Sequence, residues 1–142
     1  MKTNVLFVCI HNGARSQMAE AFLNAECGTR FQAFSAGLQP GKLNPVAVEA
    51  MRLRGIDISQ NKTKSVDDML KTGLQFEYVI TVCDESSAET CPVFPGRGKR
   101  LHWGFTDPSG LSGSDAERLA KTEQIRDQID AKVKAWCQQV CI

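Results

Sequence analysis

Val5-Leu6-Phe7-Val8-Cys9-Ile10-His11-Asn12-Gly13-Ala14-Arg15-Ser16 is the stretch that decides the fold. Four apolar residues run on without alternation, which is the pattern of a strand buried on both faces. A short loop with Gly13 follows, and then an amphipathic pattern over residues 14–27, with Met18, Ala21, Phe22 and Ala25 at three- and four-residue spacing. A thiol therefore stands where a strand ends and a helix begins. The first backbone N–H groups of a helix have no partner inside it and favour an anion. The same field lowers a thiol's pKa and makes it a nucleophile. A cradle for anions and a reactive thiol in one loop imply chemistry on a tetrahedral oxyanion.

Further strands and helices alternate along the chain. Phe31–Phe34 reads as a second strand, closed by Ser35-Ala36-Gly37. Asn44-Pro45 starts a helix, with Asn as cap and Pro at its first position, and Gly55 ends it. Val46, Val48, Ala50, Met51 and Leu53 are expected on its apolar side. Residues 65–72 form a short helix capped by Ser65 and stopped by Gly73. Residues 76–82 are rich in β-branched and aromatic side chains and predict a strand that ends on Cys83, as the first ends on Cys9. A polar loop leads to Cys91-Pro92 and on to Pro95-Gly96. Residues 99–103 form a fourth short strand, 107–110 a turn, and 114–140 one long helix with Ile125, Ile129, Val133, Trp136 and Val140 on one stripe. This alternation implies an α/β fold with a parallel sheet in one domain, residues 1–142. Ligands of such sheets bind beyond the carboxyl ends of the strands. Cys9, Cys83 and the loop carrying Asp107 should gather there.

The 17 basic and 16 acidic residues nearly cancel, which argues against a global field for nucleic acid or an anionic membrane. No apolar run approaches the roughly 20 residues that span a bilayer, and no secretory leader is legible. The expectation is a soluble, cytoplasmic protein, and a monomer. Six cysteines in 142 residues then point to catalysis, redox chemistry or burial more than to structural disulfides. Zinc is disfavoured, because there is no Cys-x2-Cys pair and there are only two histidines.

Cys9 and Arg15 are the central pair. Arginine grips an oxyanion with two parallel hydrogen bonds, Gly13 lets the backbone turn its N–H groups toward one centre, and Ser16 offers a hydroxyl to the thiolate. The bland alternative is a buried cysteine at a strand end beside a surface arginine. Asp107 has two readings, a general acid or the cap of an ordinary Asp-Pro-Ser-Gly turn. His11 adds a charge to the loop or, the preferred reading, faces solvent. His102 is expected to pack beside Trp103, and Trp136 to anchor the last helix. Cys27 reads as structural. Cys137 and Cys141, one helical turn apart, read as a half-buried pair without a role, with a second redox site as the alternative.

Taken together, these segments resemble the low-molecular-weight tyrosine phosphatase superfamily and, within it, the thioredoxin-coupled arsenate reductases. The shared features are the Cys-x5-Arg-Ser loop and the late Asp107-Pro108. The reductase branch is favoured by residues 15–20 (Arg-Ser-Gln-Met-Ala-Glu), Ser35-Ala36-Gly37, Asn44-Pro45, Asp57-Ile58-Ser59, Cys91-Pro92 and His102-Trp103-Gly104-Phe105. Ser109 stands where phosphatases of the superfamily usually carry an aromatic residue.

The resemblance implies a four-stranded parallel sheet in the order 2-1-3-4 and a relay of three thiols. Cys9 attacks arsenate. Arg15 and the N–H groups of Ile10, His11, Asn12, Gly13, Ala14 and Arg15 hold the oxygens, Ser16 stabilises the thiolate and Asp107 protonates the departing oxygen. Cys83 then attacks Cys9 as arsenite leaves, and Cys91 attacks Cys83. An external dithiol, thioredoxin or the glutaredoxin/glutathione system, reduces the resulting disulfide. Two thiols going to a disulfide supply the two electrons that the reduction needs. No tightly bound cofactor is implied. Relatives with a potassium site use an acidic residue a few positions after Ser59. Here Asn12, Glu20 and Ser35 are present, but Lys62 and Lys64 argue against a cation. Two other functions stay open: a small tyrosine phosphatase, and a non-enzymatic oxyanion-binding protein or thiol redox sensor.

Overall fold

The structure is a computed structural model that describes residues 2–82 and 98–140. Cys83, Cys91, Cys141 and the loop through Pro95-Gly96 lie outside the described residues. In chain order the elements are β1 (Thr3–Cys9), α1 (Arg15–Cys27), β2 (Phe31–Gly37), α2 (Pro45–Arg52), α3 (Val66–Lys71), β3 (Tyr78–Thr81), β4 (Lys99–His102), a 3-10 turn at Pro108–Gly110 and α4 (Asp115–Val140). The strands form a parallel sheet in the order β2-β1-β3-β4, as the resemblance implied.

β1 is the central strand because both its faces are covered. Val5, Phe7 and Cys9 alternate with Leu6 and Val8, and the two sets enter different apolar clusters. The larger cluster holds Met18, Phe22 and Leu23 of α1, Met51 of α2, and Ile125, Ile129, Val133 and Trp136 of α4. The smaller one is closed by Val66 and Met69 of α3. Trp136 anchors α4 as expected, with its ring 5.1 Å from both Phe31 and Tyr78 and 5.8 Å from Trp103.

The caps hold where local chemistry sets them. The Asn44 side chain accepts from Val46 N and Ala47 N at the start of α2, and Ser65 Oγ accepts from Asp68 N at the start of α3. Two helix faces differ from expectation. On α1 the buried set is Met18, Ala19, Phe22 and Leu23, with Ala25 exposed. On α2 it is Ala47, Ala50 and Met51, with Leu53 exposed. α2 lies against α4, where Arg126 Nη1 donates to Ala50 O. His102 also departs from expectation: it is exposed and bonds Thr81 Oγ1 at 2.6 Å, whereas Trp103 is buried. Among the described residues no helix is long and apolar enough to cross a membrane.

Candidate active site

β1 delivers Cys9 to the carboxyl edge of the sheet, where it is 2% exposed and, among the described residues, the free cysteine. The loop after it is held from outside by residues 38–44. Leu38 N, Gln39 N, Gly41 N and Asn44 N donate to the carbonyls of Cys9, Ile10, His11 and Gly13 at 2.8–3.1 Å. In a trans peptide the carbonyl of one residue and the N–H of the next point in opposite directions. Carbonyls drawn outward therefore turn the N–H groups of Ile10, His11, Asn12 and Ala14 inward. Asn12 N–H shows this directly, donating to Cys9 Sγ at 3.0 Å. Two glycines permit the close wall. A Cβ at Gly37 would stand 2.7 Å from Ile10 O and 2.8 Å from Asn12 N, and one at Gly13 would stand 2.7 Å from Lys42 O. α1 then follows Ala14, its N-cap, with no side chain capping its first amides, which suits an anion as the cap.

Asn12 is the hub of the loop. It is fully buried with φ of +55°, the left-handed region that asparagine tolerates. Its Oδ1 accepts from Lys64 N (2.9 Å) and Gln17 Nε2 (3.1 Å), which fixes the orientation of the amide. Its Nδ2 consequently faces Ser16 Oγ and donates at 2.7 Å. Ser16 Oγ lies 2.9 Å from Cys9 Sγ, and its proton is available to a thiolate there. A chain of donors thus runs from the Lys64 backbone to the thiol sulfur.

Arg15 is 3% exposed. Its Nη1 donates to Phe105 O at 3.2 Å, and its Nη2 lies 3.5 Å from Asp107 Oδ2. Asp107 Oδ1 accepts from Ser109 N at 2.9 Å, so this aspartate is a turn cap as well as a partner of Arg15. Asn44 Nδ2 donates to Ser109 Oγ at 3.2 Å and ties this turn to the wall of the cradle. A pocket of about 200 Å³ opens between them, lined by Cys9, His11, Gly13, Ala14, Arg15, Gly41, Lys42, Asp107 and Ser109. His11 is exposed at its rim, and its Nδ1 donates to Gln39 O at 3.0 Å.

This arrangement is one thiol, one fork-shaped cation and one carboxylate around an opening wide enough for a tetrahedral oxyanion. A family model described as low molecular weight phosphotyrosine protein phosphatase matches residues 4–141. The chain belongs to that family. Among its relatives, an arsenate reductase of Bacillus licheniformis is 38% identical over 138 residues, 96% of each chain. The structure of an arsenate reductase from Archaeoglobus fulgidus superposes with a TM-score of 0.67 at 34% identity, over 92% of this chain and 98% of that one. A thioredoxin-dependent arsenate reductase of Corynebacterium glutamicum does so with a TM-score of 0.59 at 27% identity, over 94% of this chain and 62% of that one.

In this member of the low molecular weight phosphatase family, Cys9, Ile10, His11, Asn12, Gly13, Ala14, Arg15, Ser16 and Asp107 come together at one sheet edge. Cys83 and Cys91 are not among the described residues. The last residue before them, Val82, donates its N–H to Val8 O, one position short of Cys9. Lys42, Gly41 and Ser109 line the pocket without having been foreseen. The outward hydrogen bonds of the loop make residues 38–44 its wall, and such pairing leaves no mark in composition or periodicity.

The quarter beside the loop holds Asn12, Glu20 and Ser35. Burial raises the Glu20 carboxyl above its ordinary value, and Lys64 and Ser35 pull it back. Asn12 Oδ1 accepts from Gln17 Nε2 and Lys64 N. Among the described residues no cluster of three or more His, Cys, Asp or Glu is placed to hold a metal.

A correction concerns the remaining thiols. Cys137, read as half-buried and without a role, is 5% exposed and bonded to Cys27, the last residue of α1. Helical spacing showed Cys137 and Cys141 one turn apart, but only the packing of α4 on α1 could bring Cys27 to the same place.

Proposed function

We propose that this protein reduces arsenate to arsenite in the cytoplasm, as one domain, with thioredoxin as reductant. The observation that carries the reading is the convergence of Cys9, Arg15 and Asp107 on one pocket whose thiol receives donors from Asn12 N and Ser16 Oγ. The names of the relatives support the substrate, and the thioredoxin-dependent relative supports the reductant.

In this mechanism Cys9 Sγ attacks the arsenic of arsenate, and an oxygen departs as water with a proton from Asp107. Arg15 and the inward N–H groups of the loop neutralise the remaining oxygens. Cys83, which follows Val82 at the edge of β1, attacks Cys9 Sγ. The sulfur–arsenic bond breaks, its electron pair stays on arsenic, and arsenite leaves as the Cys9–Cys83 disulfide forms. Cys91 attacks Cys83, frees Cys9 and yields Cys83–Cys91, which the external dithiol reduces. Resident potassium has no place in this scheme, because Asn12 Oδ1 is engaged by N–H donors and the charge beside Glu20 is Lys64.

Ester hydrolysis shares the first step and needs only Cys9, Arg15 and Asp107, so phosphatase activity is the second reading that the family supports. Oxidation of NADPH, followed with arsenate and the thioredoxin system and then with glutaredoxin and glutathione, separates the possibilities. Turnover is expected with thioredoxin. Single Cys-to-Ser changes at 9, 83 and 91 should each abolish multiple turnover. Full cycling in Cys91→Ser refutes the three-thiol relay. A Cys83→Ser variant with undiminished main activity makes the protein a phosphatase, and binding without turnover makes it a sensor.

A further inference from the structure

Cys27 closes α1, Cys137 lies near the end of α4, and their sulfurs are joined. Their Cα atoms are 6.7 Å apart, within the span a disulfide bridges. Neither residue lines the pocket. α1 begins at Arg15, so about 18 Å of helix separates the bridge from the cradle. The two sulfurs differ in access: Cys137 is 5% exposed inside the main apolar cluster, and Cys27 is half-buried at its edge.

We propose that Cys27 and Cys137 form a second thiol–disulfide site, independent of the reaction at Cys9, which a small-molecule disulfide of the glutathione class oxidises. The more accessible Cys27 thiolate attacks that disulfide, forming a mixed disulfide and releasing one small thiol. The Cys137 thiolate then attacks the Cys27 sulfur and releases the second. Two electrons pass to the small disulfide, and the two protons lost by the protein thiols go to the released thiolates. The product spans 110 residues of a 142-residue chain, so it constrains nearly the whole unfolded ensemble. Its effect is on the persistence of the fold, and the chemistry at the far end of α1 is left unchanged.

The test uses the full chain with Cys9→Ser, Cys83→Ser and Cys91→Ser, equilibrated in buffers from fully reduced to fully oxidised glutathione. Peptide mapping without reduction should find Cys27 joined to Cys137 on the oxidised side. The melting temperature should rise by roughly 10 °C over that of the same protein reduced, the shift expected for closing so long a loop. In the otherwise unaltered protein, Cys27→Ala should keep arsenate turnover and lose the glutathione-dependent rise. Three results would overturn the proposal: glutathione adducts without a bridge, a bridge to Cys141, or a bridge that leaves the melting temperature where it was.

Discussion

Replacing Asn12 tests the central feature of the site, because one side chain holds the left-handed turn, the neighbouring loop and the serine facing the thiol. In Asn12→Ala the Lys64 N–H loses its acceptor inside the protein, at a cost of about 1–3 kcal/mol. Gln17 Nε2 keeps Lys62 O and loses one bond of two, and Ser16 Oγ loses the donor that orients it, each about 1 kcal/mol. Alanine at φ of +55° adds about 1 kcal/mol that asparagine largely escapes. The expected loss is about 4–6 kcal/mol, a large part of the roughly 5–15 kcal/mol that holds a domain together.

Asn12→Gly removes the same hydrogen bonds and relieves the backbone. It should therefore unfold at a higher urea concentration than Asn12→Ala, by about 1 kcal/mol of stability. Both variants should react with arsenate about 10–100-fold more slowly, because a hydrogen bond to a charged group is worth about 1.5–3 kcal/mol and Ser16 no longer presents one to Cys9 reliably. Equilibrium urea unfolding measures the first effect, and single-turnover kinetics with arsenate the second. Two variants within 1 kcal/mol of the unaltered protein, or alanine more stable than glycine, would refute the account of Asn12 as the hub.

Arg15→Lys keeps the charge and loses the fork, so kcat/KM for arsenate should fall about 10–100-fold through at least one charge-assisted hydrogen bond; a rate near that of the unaltered protein would show that bidentate recognition is not used. A second prediction concerns pH. Glu26 is raised to about 7 by burial and by the facing Asp130, against the pull of Lys134. Asp130 is pushed up by burial yet held below its ordinary value by hydrogen bonds from Glu26, Arg54 and Lys134. A carboxyl raised on folding contributes stability that is complete below its unfolded value near 4.5 and is lost as pH rises through about 7. The urea midpoint should decline between pH 5.5 and 8, modestly because solvent screens the pair, and Glu26→Gln should flatten that decline; an equal slope in the variant would locate the titration elsewhere.

What could be read from the sequence was local. The run Val5–Val8, the caps Asn44-Pro45 and Ser65, and the stripe on α4 each depend on residues within a few positions, and each stands in the structure as expected. The Cys9–Arg15 pair belongs with them, because strand, loop and helix follow one another directly. What stayed hidden depends on contacts far apart in the chain. Lys64 reaches Asn12 across 52 positions, and Cys27 meets Cys137 across 110. Thr122, Arg126 and Asp130 of α4 are polar, yet all three are buried. Arg126 Nη1 donates to Ala50 O at 2.8 Å, and Arg54 reaches Asp130 at 2.6 Å. Polar groups enter a core when partners await them, and a single sequence does not print the partners.

The two ends of α1 carry opposite kinds of sulfur chemistry, and the helix explains why both are possible in one small protein. At its start Cys9 must be free to react, so the sulfur is met by N–H and hydroxyl donors and opens on a pocket. At its end Cys27 meets Cys137 on the apolar side of α4, away from that pocket. Thiol exchange requires one sulfur to reach the other, and about 18 Å of helix keeps Cys9 from reaching Cys27 without unfolding. In the proposed relay the electrons for the oxyanion come from the side of β3, where Val82 N–H meets Val8 O, and not along α1. That separation is consistent with Cys83, next in the chain, as the second thiol of the proposed relay. It also predicts that a Cys9–Cys27 disulfide will not accumulate even when Cys83 is replaced by serine and arsenate is in excess. Mass mapping of that variant after arsenate treatment is decisive, since a Cys9–Cys27 peptide would mean that the first helix opens during turnover.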